Sequence, residues 1–304
     1  MSNRRNATGS SKSTRRAILC MAALMGLGTA HAAAPLNSVC SLVDAPEDAL
    51  AMRVPFDVVD GRIYVEAQVN GRGPFRFAVD TGASGLGRAD TSLVSTLGLE
   101  IAQPTAHSDG VETREVDTTE FDSLDVGGLS HEHVRVITRD YNSRMPSQAA
   151  FAGIIARDFF ADGLLVIDYP NKTIAFSRTL SLSPGQDGVL SYERPFRVPV
   201  SIAGVRVEGN LDTGANVAFV LPQSLFDTIG GTPLQKAGQG QLANSRIETG
   251  RSTVHGPFEI GRARLWDAEV RVSDRYPEVL VGAHALQGFA VLIDQRSKTV
   301  AVCP

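Results

Sequence analysis

Two similar stretches decide the fold of this chain: FRFAVDTGAS at residues 75–84 and VEGNLDTGAN at residues 207–216. In each stretch an apolar, strand-like run ends on an aspartate, Asp80 or Asp212, that Thr-Gly-Ala follows. A carboxylate at the end of a partly buried strand is costly unless hydrogen bonds or a shifted pKa compensate for its burial. A chain that carries this feature twice is therefore predicted to bring the two aspartates together.

Matching segments follow both stretches in the same order, which indicates an internal repeat. After Asp80 come FDSLDVGGLSHEHVRVI (121–137), GIIARDFF (153–160) and LLVIDYPNKTIAF (164–176), and after Asp212 come FEIGRARLWDAEVRV (258–272), LVGAHAL (280–286) and AVLIDQRSKTVAV (290–302). These segments are short, rich in β-branched and aromatic residues, and separated by Gly, Pro, Asn or Asp, which is typical of an all-β chain. Short helices are predicted at 89–99 and 222–230, with helical turns at 157–162 and 283–288.

The repeat and the composition predict how the chain is divided. The predicted parts are a signal peptide at 1–32, an N-terminal segment at 33–53, a first lobe at 54–178, a linker rich in Ser, Gly and Pro at 179–193, and a second lobe at 194–304.

The first 32 residues resemble a secretory signal peptide. A basic region precedes an apolar run from Ala17 to about Gly28, which is too short to span a membrane, and Ala30 and Ala32 suit a cleavage site. The sequence STRRAIL leaves open export by either the general or the twin-arginine route. We therefore expect a periplasmic or secreted protein, in which a disulfide between Cys40 and Cys303 is favoured over two unrelated thiols.

The charge of the chain argues against two classes of partner. Removal of the five basic residues of the signal peptide changes the formal net charge from −4 to −9. An acidic protein has no basic patch with which to meet nucleic acid or anionic lipid. We therefore expect neither as a partner, and no stable membrane span once the signal is removed.

Two carboxylates at contact distance cannot both ionise readily, so Asp80 and Asp212 are predicted to share one proton. The ionised member can take a proton from water while the protonated member donates to a carbonyl oxygen. Attack of that water on an amide gives a tetrahedral diol, and the same pair returns a proton to the leaving nitrogen. The pattern thus indicates peptide hydrolysis.

The residues after each aspartate suit this chemistry. Gly82 and Gly214 lack a Cβ, so each turn can pass close to the other lobe and offer backbone N–H groups. Thr81 and Thr213 can link the two turns through their hydroxyls. Small side chains then keep the site narrow, and they belong to Ala83 and Ala215.

The doubled D-T-G-A resembles the retropepsin-type aspartic proteases, because Ile154-Ile155-Ala156 and Leu280-Val281-Gly282 supply the apolar-Gly segment of that family in both halves. The resemblance covers about Val54 to Val302. It implies a two-lobed, closed-barrel fold with pseudo-twofold symmetry, in which both halves are fused in one chain as in pepsin-type enzymes. We therefore expect a single-chain, monomeric, bacterial-style protein of this family.

Residue by residue, the resemblance makes Asp80 and Asp212 the catalytic pair of an aspartic endopeptidase. It implies two substrate-covering flaps, near His107–Thr113 with Gly110 and near Gly238–Ser245 with Gly240. The paired termini of the family would also bring Cys40 near Cys303. The expected substrate is a peptide or an unfolded protein in an extended conformation.

Two departures from the family pattern affect the symmetry of the site. Ala156 occupies a position where glycine is usual, whereas its counterpart Gly282 is intact. An extra methyl group behind the first aspartate could shift the turn. Ser84 follows the first motif and Asn216 the second, so the two sides of the cleft need not bind substrate alike.

Other functions find less support in the sequence. A non-catalytic periplasmic protein that holds an extended peptide by strand addition is the main alternative, and the two intact aspartates count against it. His131 and His133 could share one face of a strand and hold a metal, but no further ligand is evident, so an exposed strand is favoured. There is no G-x-S-x-G motif, no phosphate loop and no dinucleotide fingerprint, so we expect no Ser-His-Asp site, no metal and no cofactor.

Overall fold

The computed structural model describes residues 38–109 and 111–304. The predicted signal peptide and the start of the N-terminal segment, as well as Gly110, lie outside the described residues. In the first half the strands are β1 (Met52–Pro55), β2 (Asp57–Val59), β3 (Arg62–Val69), β4 (Arg72–Asp80), β5 (Gly87–Asp90), β6 (Ala102–Ser108), β7 (Thr113–Val126), β8 (Leu129–Arg139), β9 (Gly153–Ala156), β10 (Leu164–Asp168) and β11 (Thr173–Ser177). In the second half they are β12 (Val189–Ser191), β13 (Arg197–Ile202), β14 (Val205–Asp212), β15 (Phe219–Pro222), β16 (Gln235–Gln241), β17 (Arg246–Val254), β18 (Phe258–Ile260), β19 (Ala263–Leu265), β20 (Ala268–Ser273), β21 (Val279–Gly282), β22 (Ala290–Asp294) and β23 (Thr299–Cys303).

Helices are short, and those predicted from sequence are present. The α-helices are α1 (Thr91–Leu97), α2 (Gln223–Ile229) and α3 (Ala283–Leu286), and the 3₁₀ helices are Val39–Asp44, Glu47–Ala49, Asn142–Arg144, Ser147–Ala149 and Arg157–Phe160. Helix α1 begins where the Asp90 side chain accepts a hydrogen bond from the Ser92 N–H at 2.9 Å, and it ends at Gly98, whose φ of 68° favours glycine. No helix in the described part of the chain is long and apolar enough to cross a membrane.

One six-stranded antiparallel sheet contains strands from both halves, in the order β1-β11-β10-β22-β23-β12. Strands β10 and β22 pair at its centre, with Val166 opposite Leu292, and every residue of both strands is buried. These are the closely matched VID and LID segments of the repeat. The sheet thus joins the two halves. Its last strand, β12, lies within the segment that the sequence predicted to be a linker.

Each half also builds its own sheet, and the two sheets share one plan. The first has the order β2-β3-β4-β9-β5-β8-β7-β6 and the second the order β16-β17-β20-β15-β21-β14-β13-β18-β19. In both, the strand that ends on the aspartate runs parallel to a short buried strand, β4 with β9 and β14 with β21. An extra pairing of β3 with β7 closes the first sheet on itself. The predicted two-lobed all-β fold with pseudo-twofold symmetry is confirmed.

A large apolar core extends through both halves and fixes the orientation of the strands. On β4, Phe77 and Val79 point into this core, and on β14 Leu211 does the same. Because side chains alternate along a strand, each aspartate is turned away from the core face. The apolar approach strands thus hold the two carboxylates at the lobe boundary.

Cys40 and Cys303 form a disulfide, with their Cα atoms 5.6 Å apart. Cys303 ends β23 of the six-stranded sheet, and Cys40 lies in the 3₁₀ helix Val39–Asp44, which packs against that sheet. The predicted pairing is confirmed, and it ties the N-terminal segment to the last strand.

Candidate active site

Asp80 and Asp212 are the last residues of β4 and β14, and each stands next to the end of a parallel neighbour. Asp80 is in register with Ala156, and Asp212 with Gly282. Both aspartates keep some accessible surface at the lobe boundary, as groups that meet a substrate must. The two halves of the repeat therefore place their carboxylates at equivalent points.

The two Thr-Gly turns are linked by reciprocal hydrogen bonds between buried threonines. The Thr81 N–H donates to Thr213 Oγ1 and the Thr213 N–H donates to Thr81 Oγ1, each at 3.1 Å. The hydroxyl of Thr213 donates to the Val79 carbonyl at 2.9 Å, and that of Thr81 to the Leu211 carbonyl at 3.3 Å. The link expected from the sequence is formed, and it fixes one turn relative to the other.

Glycine is required in both turns because each turn packs against the opposite aspartate. A Cβ on Gly82 would lie 2.5 Å from Oδ2 of Asp212, and a Cβ on Gly214 would lie 2.5 Å from Oδ2 of Asp80. Non-bonded atoms do not approach so closely. The two glycines therefore let the carboxylates meet across the pseudo-twofold axis.

Hydrogen bonds from the turns orient both carboxylates. The Ala83 N–H donates to Oδ1 of Asp80 at 2.9 Å, and the Gly214 N–H donates to Oδ1 of Asp212 at 2.8 Å. Burial, together with the charge of Asp80 and a hydrogen bond between the two carboxyls, raises the pKa of Asp212 to about 7, although the Gly214 N–H acts in the opposite direction. Below that pH the pair holds a proton on Asp212.

Ala156 does not disturb the first turn. Its N–H donates to the Leu86 carbonyl at 3.1 Å, as the N–H of Gly282 donates to the Ala218 carbonyl at 2.8 Å in the second lobe. The amides of the next residues along the chain also match, because the N–H that follows Ala156 donates to the Ala83 carbonyl and the N–H that follows Gly282 donates to the Ala215 carbonyl. The two turns keep the same backbone support despite the substitution.

An arginine that the sequence analysis missed supports the second turn from the first lobe. Arg62 Nε donates to the Gly214 carbonyl at 2.6 Å, and Nη2 donates to Oδ1 of Asn216 at 3.2 Å. Asn216 in turn donates to Asp60 at 2.6 Å. In the second lobe the position equivalent to Arg62 is Pro195, because Phe196 pairs with Leu211 as Ile63 pairs with Val79. The Gly82 carbonyl of the first turn accepts a hydrogen bond from Arg157 of the same lobe instead.

Two β-hairpins, β6–β7 and β16–β17, occupy the regions predicted as flaps, and their tips touch. The Asn244 N–H donates to Oδ2 of Asp109 at 2.6 Å, and its side-chain amide donates to the carbonyls of His107 at 2.7 Å and Glu112 at 2.8 Å. Arg139 donates to Oδ1 of Asn244 at 2.7 Å. Asn244 is buried by these contacts. The two hairpins therefore meet inside the regions predicted as flaps, although the contact between them was not predicted.

Electrostatic interactions connect the hairpin tips with residues near the aspartates. Arg88 interacts electrostatically with both Asp80 and His107, and Tyr276 with both Asp212 and Asp109. Burial raises the pKa of Asp109, but hydrogen bonds from the N–H groups of Glu112 and Asn244 and from their neighbours outweigh it and lower that pKa to about 2. Asp109 is thus ionised where it accepts the bonds of the opposite hairpin.

The remaining predicted residues have more ordinary surroundings. Gly240 lies inside strand β16, opposite Ile247, and the turn of that hairpin follows at 242–245. The Nε2–H of His131 donates to the Phe159 carbonyl at 2.9 Å, and the His131 ring packs on the Phe159 ring. His133 is exposed and near Glu120. Within the described residues no group of three His, Cys, Asp or Glu side chains is arranged to hold a metal.

Comparison with known proteins bears on this geometry. A family model described as aspartyl protease matches residues 65–159 and 198–285, that is, one region in each lobe, and each region contains one of the two D-T-G turns. A search of curated proteins found no match. The two matched regions together cover more than half of the chain, and the chain therefore belongs to the aspartyl protease family.

Proposed function

We propose that this protein is an aspartic endopeptidase that hydrolyses peptide bonds with a water held between Asp80 and Asp212. The observation that carries the proposal is that each carboxyl packs against the opposite one of the two linked Thr-Gly turns, where burial and the charge of Asp80 raise the pKa of Asp212 to about 7. Such a pair holds one proton over the acidic range and offers a base and an acid side by side. The membership of the aspartyl protease family supports the same assignment.

The raised pKa of Asp212 favours it as the protonated member of the pair. Asp80 then takes a proton from the water, whose oxygen bonds to the carbonyl carbon of the substrate, while Asp212 gives its proton to the carbonyl oxygen. The resulting diol then loses a hydroxyl proton to Asp212. Asp80 passes its proton to the amide nitrogen as the carbon–nitrogen bond breaks. The pair returns to its starting state with one proton.

The substrate that we propose is an extended peptide or an unfolded protein, covered by the two hairpins β6–β7 and β16–β17, whose tips meet. Both aspartates lie in one chain, which supports activity as a monomer. The Cys40–Cys303 disulfide supports an exported protein, periplasmic or secreted, since such bonds persist in oxidising compartments. The acidic charge favours neither nucleic acid nor an anionic membrane as a partner.

Cleavage of a diverse library of unstructured peptides, from acidic to neutral pH, tests the proposal. We expect the mature protein to cut, a statine-type inhibitor to block it, and Asp212→Ala to abolish it. The matched control is Asp122→Ala, which removes an exposed carboxylate from β7 of the first lobe. A folded wild-type protein that binds peptides but cuts none at any pH would contradict the proposal and favour the peptide-binding alternative.

A further inference from the structure

The two lobes place different residues at one equivalent position beside the aspartates. On β5, Arg88 is in register with Ile154, and on β15, Val220 is in register with Leu280. Ile154 and Leu280 each lie two residues before the partner of an aspartate, Ala156 or Gly282. Arg88 and Val220 are therefore counterparts, a cation on one side of the pair and an apolar side chain on the other.

Strand alternation turns both side chains away from the core. The neighbours of Val220, Phe219 and Leu221, are buried in the core, and so is Ala89, which follows Arg88. Because successive side chains point to opposite faces, Arg88 and Val220 project from the other face of the strand. That is the face of Ser84, whose hydroxyl accepts a hydrogen bond from Arg88 Nη2 at 3.4 Å. The Arg88 guanidinium thus reaches the exposed Ser84, which follows the first D-T-G-A, and it interacts electrostatically with Asp80.

Arg88 is 5% exposed and has few partners. Besides Ser84, it donates from Nη1 to the Gly87 carbonyl at 2.9 Å. No carboxylate in the described part of the chain forms an ion pair with it. The neighbouring arginines are engaged elsewhere, Arg139 with Asn244 of the opposite hairpin and Arg157 with the Gly82 carbonyl at 3.3 Å.

A buried guanidinium without a bound anion is costly, and it remains charged in proteins. Burial lowers the pKa of Arg88, and the charge of Arg139 acts in the same direction. Tyr141, which is near, supplies no negative charge at neutral pH, because burial raises its pKa to about 12. Asp80 is near too and its charge raises the pKa of Arg88, but the two side chains form no ion pair, and Asp80 Oδ1 accepts the Ala83 N–H instead. The Arg88 guanidinium therefore has no direct carboxylate partner in the described part of the chain.

We propose that Arg88 is a specificity-determining residue that binds an acidic side chain, Asp or Glu, of the substrate on the first-lobe side of the scissile bond, while Val220 accepts an apolar side chain on the other side. This inference rests on the proposed function, since it names the substrate class of the same cleft. A guanidinium matches a carboxylate through two parallel hydrogen bonds. The preference is one-sided, because only one lobe carries the arginine.

The test compares matched peptides that differ only by Glu or Gln at each position around the cut. For the wild-type protein we expect kcat/KM to be about 10- to 100-fold higher with Glu at one position on one side of the scissile bond. In Arg88→Val, which copies the second lobe, the Glu/Gln ratio falls to about 1. The ratio is taken within each variant, so a general loss of activity cancels. Arg206→Val, an exposed arginine of β14, is the matched control and keeps the wild-type ratio.

A second variant covers the case in which Arg88→Val fails to fold. Arg88→Lys keeps the charge but loses the paired hydrogen bonds, so the ratio should fall to an intermediate value. A wild-type protein that cuts Glu and Gln peptides equally, or a preference that survives in Arg88→Val, would overturn this inference and leave the proposed function intact. If nothing is cut, uncleavable statine peptides with Glu or Gln are compared by binding: tighter binding of the Glu peptide that depends on Arg88 supports the inference, equal binding overturns it, and the missing cleavage counts against the proposed function alone.

Discussion

The two lobes of this protein are alike where they hold the aspartates and unlike where they would hold a substrate. The reciprocal threonine hydrogen bonds and the backbone support behind the turns are matched in the two lobes, although the Ala83 N–H holds Asp80 and the Gly214 N–H holds Asp212. Around them, Arg88 is the counterpart of Val220, and the Gly214 carbonyl accepts a hydrogen bond from Arg62 of the other lobe, whereas the Gly82 carbonyl accepts one from Arg157 of its own lobe. Peptide hydrolysis therefore depends on the features that the two lobes share, whereas substrate specificity can differ between the lobes.

The largest effect should come from removing either aspartate. Asp80→Asn and Asp212→Asn are each expected to lower kcat/KM by about 10³-fold or more, because each leaves the pair without a base or without its shared proton. The double variant should be little worse than either single one, since members of a catalytic unit do not act additively. Steady-state kinetics on one cleavable peptide measure all three variants. Substantial activity in either single variant would contradict a catalytic unit that needs both aspartates.

The threonine link should contribute equally from both lobes. Thr81→Val and Thr213→Val each leave a buried N–H and a buried carbonyl without a partner, so each should lower the free energy of unfolding by about 2–3 kcal/mol. Because the two residues bond to each other, the double variant should cost less than the sum. Urea denaturation at fixed pH provides the values. Strictly additive losses would mean that the two turns are held separately.

Ala156 and Gly282 should respond differently to exchange, although they are equivalent. A Cβ on Gly282 would lie 2.8 Å from the Ala215 carbonyl oxygen, so Gly282→Ala should destabilise the protein by about 1–3 kcal/mol and disturb the second turn. Ala156→Gly only removes a buried methyl group and adds backbone freedom, for about 1 kcal/mol. Thermal unfolding of both variants makes the comparison. Equal losses of stability in the two variants would show that the second lobe has space for a methyl group at Gly282 that the structure does not indicate.

The smallest effect is expected at the hairpin tips, where the lobes touch. Asn244→Ala removes the side-chain bonds to His107 and Glu112, so amide hydrogen exchange in β6 and β16 should accelerate by about 5- to 10-fold. The hydrogen bonds that ionised Asp109 accepts lower its pKa to about 2 and stabilise the folded protein. This stabilisation should be fully present above about pH 4 and lost as the pH falls through 2. Unchanged exchange in the variant would mean that the tips do not hold each other in solution.

Much of the fold was predictable because it depends on local patterns. The repeat, the apolar strands and the glycine-bounded turns predicted the all-β, two-lobed fold, and the short helices followed from their positions after each D-T-G. The strand Val189–Ser191 was not predicted, because its sequence has too few residues to distinguish it from a linker and its partner in the described sheet, β23, lies far along the chain.

The site was predictable only where a motif marks it. The position of the aspartates, the crossing hydroxyls and the need for glycine follow from D-T-G and from the proton that two close carboxylates share. Arg62 and Asn244 could not be found, since their roles depend on contacts between distant segments. Arg88 did leave a signal: it is the eighth residue after Asp80, and Val220 is the eighth after Asp212, so an alignment of the two repeats exposes the difference.

The pH dependence of kcat/KM for one cleavable peptide, measured from about pH 4 to pH 9, tests the shared proton most directly. The pKa of Asp212 is raised to about 7, so the proton that the mechanism requires is present below that pH and is lost above it. The account predicts that kcat/KM falls about tenfold for each pH unit above about 7. A rate that stays constant or rises up to pH 9 would contradict it, because both carboxylates would then be ionised without loss of activity.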